Sequence, residues 1–515
     1  MVSTLPGALE QTISRRPNRP FLLFEGKSTT YEDFGLAVRA AARVLLEQGV
    51  RRGDRVALVA GNVPAAVTAI FASLRVGAAI VPINPRLTSS EIDALLQRAE
   101  VRACVADAPS APKMEGSAVL PPTRLLLEGD REGWLPLAAR ARGAGPKSDP
   151  PGPEPDDDAL LLFTSGTEGT PRGVLLSHRN LLTNARQLEE GVGPTEKDRF
   201  LLFLPVFHVF SLTVCILLPA ILGAAVVLVR SAHNFPAMMK REVLYRRVTI
   251  FVAVPAVYNA LARKPVPYLF QKLNRIRMMI SGAAPLAAGV IEGVERRMGA
   301  PLLEGYGLTE ASPVVSVNRP ARRKNGSVGP PLPGVEVRVA GSRGEELPPG
   351  EAGELWVRGG NVAHRFLGGM SPVDREGWLR TGDWASVDED GFLTIHDRVK
   401  DVILVRGINV YPREIEEALG EHDAVTAAAV VGAPDPRRGE VPRAFVVPAE
   451  GSTTTEEELR TFLLDRLAPF KVPRTIEFLD ALPLGGTGKV LRRVLRERPL
   501  PNDGAHPGPA PRGAP

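Results

Sequence analysis

The stretch from Thr164 to Gly173, reading Thr-Ser-Gly-Thr-Glu-Gly-Thr-Pro-Arg-Gly, constrains this chain more than any other. It lies between two apolar runs, Ala159–Phe163 and Val174–Leu176, so the local pattern predicts strand, turn, strand. Gly166 and Gly169 let the backbone approach a bulky anion. The hydroxyls of Thr164, Ser165 and Thr167, with several free N–H groups, can then cradle phosphate oxygens, and Arg172 adds positive charge. The competing reading is a flexible surface loop rich in Ser, Thr and Gly. The stretch is not a Walker loop, because Arg172 is followed by Gly173 where that motif needs Lys then Ser or Thr. Gly485–Val490 fails the same pattern, with Pro483 at the first Gly and Val490 at the magnesium-binding hydroxyl.

At 515 residues, two or three domains are expected. Helical patterns at Ala8–Arg16, Tyr31–Gln48 and Val63–Val76 alternate with extended ones at Phe21–Phe24, Arg55–Val59 and Ala79–Pro82, an α/β signature. Residues 139–157, rich in Pro, Gly and Asp, predict a surface linker. Short strands broken by Pro331, Pro333, Pro348, Pro349 and Gly350 fill Val328–Arg358. Around Asp397–Lys400 the pattern changes, with a strand at Val402–Val405, a helix from near Pro412 and a compact α+β domain. Residues 500–515 are Pro, Gly and Ala with little to bury, and predict a disordered tail.

Net charge is only +5 despite a pI near 9.3, so nucleic acid is not indicated as a partner. Cys104 and Cys215 fit no disulfide or metal spacing, which makes a reduced, cytoplasmic setting the default. The N-terminus lacks the pattern of a secretory signal.

Three further segments narrow the reading. They are Glu304-Gly305-Tyr306-Gly307-Leu308-Thr309-Glu310, then Arg380-Thr381-Gly382-Asp383, then Asp397-Arg398-Val399-Lys400-Asp401 running on to Arg406–Pro412. With Gly485–Lys489, their order and spacing resemble the adenylate-forming superfamily of acyl-CoA synthetases, luciferase-like enzymes and peptide-synthetase adenylation domains. The resemblance runs over nearly the whole chain. It implies a large N-terminal domain of α/β subdomains with a small β-rich subdomain (1–397), a hinge at 398–400 centred on Lys400, and a mobile α+β domain (401–499).

The implied chemistry has two steps. A carboxylate attacks the α-phosphorus of ATP, giving acyl-adenylate and pyrophosphate, and the thiol of coenzyme A then attacks the activated carbonyl. Charge develops on phosphates, so the site needs cations and fixed N–H dipoles rather than a nucleophilic side chain. The resemblance assigns Thr164, Ser165, Gly166, Thr167, Gly169 and Arg172 to the phosphate loop, and Gly282, Ala283 and Ala284 to the segment beside adenine and the acyl pocket. Glu168 and Arg172 stand where the family usually has Thr and Lys. Glu304, Gly305, Tyr306 and Gly307 belong to the nucleotide motif, with Tyr306 against adenine. Thr309 and Glu310 match contacts to the α-phosphate and Mg2+. Asp383 and Arg398 match ribose contacts, Gly407 lies in the loop expected to meet the thiol, and His208 lines the carboxylate site. Lys489 bridges the substrate carboxylate and phosphate in the first step.

Gly305–Asn318 and Lys400–Pro412 look most like medium- and long-chain fatty acyl-CoA synthetases, although Arg406 takes a position commonly Ser there. An aryl-CoA ligase, a ligase acting on a carrier-protein thiol and a non-catalytic nucleotide binder are the alternatives. No carrier domain follows residue 500, which argues against a multidomain peptide synthetase. A homodimer is compatible with the pattern. The run Phe200–Val229 contains no charged residue and is long enough to cross a bilayer. Pro205, Pro219, Gly223 and His208 argue instead for a buried helix at Ser211–Leu222 and a strand at Ala225–Val229, leaving at most peripheral membrane contact. A crossing would also separate the Thr164 and Tyr306 loops, which one site needs together.

Overall fold

Alternating burial builds the larger part of the molecule. The computed structural model describes residues 2–137, 152–164, 172–230, 235–263, 266–284, 286, 288–363, 365–406, 408–435, 437–484 and 490–499. The chain divides into two compact units, Met1–Ile395 and His396–Pro515.

The first unit holds two eight-stranded sheets. One runs in the order Val314–Val317, Leu302–Gly307, Met278–Ser281, Ile250–Ala253, Arg199–Leu202, Ala225–Leu228, Pro20–Phe24, Lys27–Thr30. The other runs Arg365–Phe366, Arg172–Ser177, Asp158–Thr164, Ala79–Ile83, Arg55–Val59, Ala103–Ala106, Thr123–Leu126, Leu135–Pro136. Central pairs are parallel and mostly apolar, with Arg55, Arg199 and Ser281 confined to strand ends, as suits strands covered on both faces. Val56 and Leu58 face one core and Ala57 and Val59 another, and Phe200 and Leu202 face away from Leu201 in the same way. The core shared by both sheets also takes in helices Leu5–Arg15, Tyr31–Glu47, Pro64–Arg75 and His178–Val192. The outer faces carry Ser89–Ala99 on one sheet and Pro255–Arg263 with Ala288–Met298 on the other. The result is a layered helix–sheet–helix–sheet–helix stack, in keeping with the α/β expectation.

A four-stranded sheet follows, in the order Val335–Ala340, Ala352–Gly359, Leu379–Val387, Leu393–Arg398. On it, cations and indoles alternate. The Arg380 guanidinium lies 4.3 Å from the Trp356 ring, Arg338 lies 4.4 Å from Trp356 and 4.7 Å from Trp378, and Arg358 lies 4.6 Å from Trp378.

The uncharged run resolves into pieces. Strand Arg199–Leu202 leads to helix Val209–Leu212, a π-helical turn at Thr213–Leu217, helix Leu218–Leu222 and strand Ala225–Leu228. Among the described residues no helix is long and apolar enough to cross a membrane. The chain is helical without a break from Val209 to Leu222, in keeping with the buried helix expected at Ser211–Leu222, and the π turn lies inside it.

The second unit is an α+β domain. Strands Ile408–Val410, Ile403–Val405, Gly439–Pro448 and Val425–Asp435 lie in that order, and Thr475–Phe478 pairs with Gly439–Pro448. Helices Pro412–Gly420 and Glu456–Leu464 close its core over Ile415, Leu419, Leu459 and Leu463. The expected tail, 500–515, lies outside the described residues, as does most of the expected linker at 139–157.

Candidate active site

The base of the expected phosphate loop is a β-hairpin. Asp158–Thr164 and Arg172–Ser177 pair antiparallel, with Phe163 opposite Gly173 and Thr164 opposite Arg172. Ser165, Gly166, Thr167 and Gly169 lie outside the described residues. Gly173 is required by packing, since a Cβ there would come within 2.8 Å of Leu367. Arg172 is exposed, and its guanidinium stacks 4.9 Å from the Phe366 ring of the adjoining edge strand. Ser177 then caps the next helix, its backbone N–H donating to Asn180 Oδ1 at 3.1 Å. Asn180 Nδ2 reaches on to the carbonyls of Gly360 and Val362, both at 2.9 Å.

Tyr306 ends a second hairpin, with Gly305 opposite Val317, Tyr306 opposite Ser316 and Gly307 opposite Val314. A Cβ on Gly307 would lie 2.0 Å from the Pro313 carbonyl oxygen, so the backbones meet too closely for any other residue. The Tyr306 hydroxyl donates a hydrogen bond to the Asp383 carboxylate. Asp383 is buried, and its N–H is held by Thr381 Oγ1 at 3.0 Å, which donates in turn to the Leu355 carbonyl at 2.8 Å. Two motifs from different sheets thus meet at one point.

Thr309 and Glu310 form a 3-10 turn beside it, both partly exposed. Side-chain amides fix this turn and its continuation. Asn361 Nδ2 donates to the Ala311 carbonyl at 2.9 Å, and Asn184 donates to the Val314 carbonyl at 2.7 Å while accepting the Val314 N–H at 3.1 Å. The Ala363 N–H closes on the Glu310 carbonyl at 2.8 Å. Glu304 is buried, and its Oε1 accepts the Leu286 N–H at 3.1 Å, tying the nucleotide strand to the segment after Gly282–Ala284. Within that segment Ala283 sits at φ +73°, and a Cβ on Gly282 would come 3.0 Å from the Phe210 ring.

His208 is partly buried and begins helix Val209–Leu212, its carbonyl accepting the Leu212 N–H at 2.9 Å. Its ring lies 4.6 Å from that of Phe207. Asn62 pins this segment by donating to the Leu204 carbonyl at 3.0 Å and accepting the Val206 N–H at 3.0 Å. The four asparagines, Asn62, Asn180, Asn184 and Asn361, carried no sequence signal, because their partners are remote carbonyls and amides.

In the second unit Arg398 and Lys400 are exposed, and Lys400 lies in the 3-10 turn Val399–Asp401. Asp397 is buried, and burial pushes its carboxyl above the ordinary range although the N–H groups of Arg398 and Arg413 donate to it. Asp401 accepts a hydrogen bond from Arg496. Arg406 turns at φ +53° between strands Ile403–Val405 and Ile408–Val410. Gly407 and Lys489 lie outside the described residues, yet the flanks of 485–489 are fixed. Leu484 pairs antiparallel with Val490, the Leu491 N–H reaches the Pro483 carbonyl at 2.8 Å, and Arg492 grips Glu416 at 2.7 Å. Among the described residues no group of three or more His, Cys, Asp or Glu gathers as a metal cluster.

Known proteins share this architecture. The pattern of the AMP-binding enzyme family matches residues 9–367, and that of the AMP-binding enzyme C-terminal domain matches 414–489. The feruloyl-CoA synthase of Amycolatopsis sp is 38% identical over 484 residues, covering 92% of this chain and 94% of that protein. A long-chain-fatty-acid–CoA ligase of Escherichia coli O6:H1 is 34% identical over 533 residues, covering 96% and 94%. The crystal structure of the anthranilate CoA ligase AuaEII with anthranoyl-AMP superposes with a TM-score of 0.87 at 27% identity, covering 96% of each chain.

Proposed function

This chain belongs to the AMP-binding enzyme family of acid–CoA ligases, and on that premise we propose that it activates a medium- or long-chain fatty acid with ATP and passes the acyl group to coenzyme A. The observation that carries the reading is the meeting of Tyr306 and Asp383 beside the Thr309–Glu310 turn. An ionised carboxylate at Asp383 accepts two hydrogen bonds from a ribose cis-diol. Tyr306 offers its ring to adenine and, through its hydroxyl, orients that carboxylate. Thr309 donates to the α-phosphate, and Arg172 with the hairpin amides draws the β- and γ-phosphates away from it. Glu310 fits a magnesium ion: it is a single, partly exposed carboxylate, the donor type that ion shares with phosphate oxygens. Bound there, the ion would offset the repulsion between Glu310 and the triphosphate. Lys489 bridges the acid and the α-phosphate in the first step. His208 and the Phe207–Phe210 segment border the acyl cleft.

The Gly305–Asn318 motif and the 34% match to a fatty-acid ligase support the aliphatic substrate. A second reading, an aromatic acid, is favoured by the 38% match to a feruloyl-CoA synthase. A pyrophosphate-release screen across straight-chain, aryl and dicarboxylic acids with CoA present separates the two. AMP and pyrophosphate are the expected products, and ADP with orthophosphate would overturn the adenylate route.

A further inference from the structure

The charge of this chain is unevenly spread. Between Arg199 and Ile291 stand eleven Lys and Arg and a single acid, Glu242, whereas the whole chain has an excess of only +5. Outside that stretch, acid outnumbers base. Glu242 is itself buried and engaged by Arg241 at 2.7 Å. Arg277 pairs with Asp198 and Arg230 with Glu25. Lys240, Arg247, Lys272 and Arg275 are exposed.

The same stretch bears the helix Tyr268–Leu273. Phe270 is its inward anchor, buried in a cluster with Met239 and Val243. Asn274 Nδ2 holds the helix end by donating to the Phe270 carbonyl at 3.1 Å and the Gln271 carbonyl at 2.9 Å. The other face is apolar and open to water: Tyr268 is 67% exposed, Leu269 66% and Leu273 51%. Leu269 and Leu273 stand one turn apart on that face. The Lys272 ammonium lies 4.7 Å from the Tyr268 ring. Tyr245, closing the preceding π-helical segment Met239–Leu244, is 65% exposed.

Leucine and tyrosine held outward among lysines and arginines form the composition of a lipid–water interface. The apolar groups enter the acyl boundary, and the cations meet lipid phosphates. We propose that the face carrying Tyr268, Leu269, Lys272, Leu273 and Arg275 docks this protein reversibly on an anionic phospholipid bilayer. A nucleic acid would satisfy the cations but give the leucines no partner.

Co-sedimentation of the full chain with vesicles tests this. Binding is expected to an equimolar mixture of phosphatidylcholine and phosphatidylglycerol, and far less to phosphatidylcholine alone. Leu269→Ser with Leu273→Ser should lower the partition by about tenfold or more. Lys272→Glu with Arg275→Glu should lower it at least as far, since each cation contributes about fivefold. Because these side chains are exposed, both double variants should keep the parent's thermal midpoint and its turnover of a water-soluble acid. No binding to the anionic vesicles, or full binding by the leucine variant, would overturn the proposal. So would duplex DNA competing for a site that only the charge variant abolishes.

Discussion

Asp383 sits where a small chemical change is most informative. Its carboxylate is buried and accepts the Tyr306 hydroxyl, so the pair is oriented before any nucleotide arrives. Asp383→Asn keeps the shape but loses a charged acceptor, a loss of about 1.5–3 kcal/mol, or roughly tenfold to a hundredfold in KM for ATP. An unchanged KM would remove the residue from the ribose site. A second residue makes stability depend on pH. His178 is buried, its Nδ1 accepts the Leu5 N–H at 3.4 Å, and its Nε2 finds no partner among the described residues. Burial pushes its pKa down to about 4, with the Asp157 charge pulling weakly the other way. In the unfolded chain the imidazole takes a proton near pH 6.5, so its neutral, buried form contributes fully above that pH. That contribution is lost as pH falls toward 4, by about 2 kcal/mol at pH 5. Thermal midpoints measured between pH 7 and 4 should fall less steeply in His178→Gln than in the parent. Parallel slopes would show that other groups control the acid limb.

At the scale of elements, the Arg–Trp stack on the four-stranded sheet holds the layer that contributes Asp383. Arg338 lies directly opposite Trp356, and Trp356 opposite Arg380, so the stack follows from strand register. Arg338→Met keeps the aliphatic stem and removes two cation–π contacts, which should cost about 1–2 kcal/mol. The check is a calorimetric midpoint lowered by a few degrees, and an unchanged midpoint would show the stack to be ornamental. Nothing in the sequence announced it, because Arg338, Trp356 and Trp378 become neighbours only once three strands align. What the sequence did make legible is local. The Thr164 hairpin, strands Arg55–Val59 and Ala79–Ile83, and helix Pro412–Gly420 follow from apolar runs, turn residues and proline at a helix start. Tyr306 and Asp383 were legible as motif residues, but their hydrogen bond is a tertiary fact. The buried asparagines depend on remote partners that no window of sequence contains.

For the molecule as a whole, the proposed reaction sets a mechanical problem. Lys489 is assigned to the first step and the segment Arg406–Asn409 to the second, yet both belong to the unit His396–Pro515. A rotation of that unit between the steps lets one body present both in turn. Lys400, exposed within the Val399–Asp401 turn, is the proposed pivot. Fixing φ there with Lys400→Pro should leave adenylation standing and lower thioester formation by orders of magnitude. Half-reactions measured separately decide the matter, and two intact half-reactions would move the pivot elsewhere. The turn is also tied to the C-terminal helix of the same unit. Asp401, next to Lys400, holds Arg496 on the short helix Arg492–Arg496, and Leu484 pairs with Val490. Torsion at 400 would therefore carry the helix Arg492–Arg496 with it.

The division of the chain at Ile395 has an optical consequence. Trp134, Trp356, Trp378 and Trp384 are all the tryptophans of the sequence, and every one lies in the first unit; the second holds a single tyrosine, Tyr411. Indole emission followed on heating therefore sees Met1–Ile395 melt, while the loss of the smaller unit passes almost dark. A heat-absorption peak with no counterpart in emission would belong to His396–Pro515, so two spectrometers on one unlabelled sample can time the two units apart.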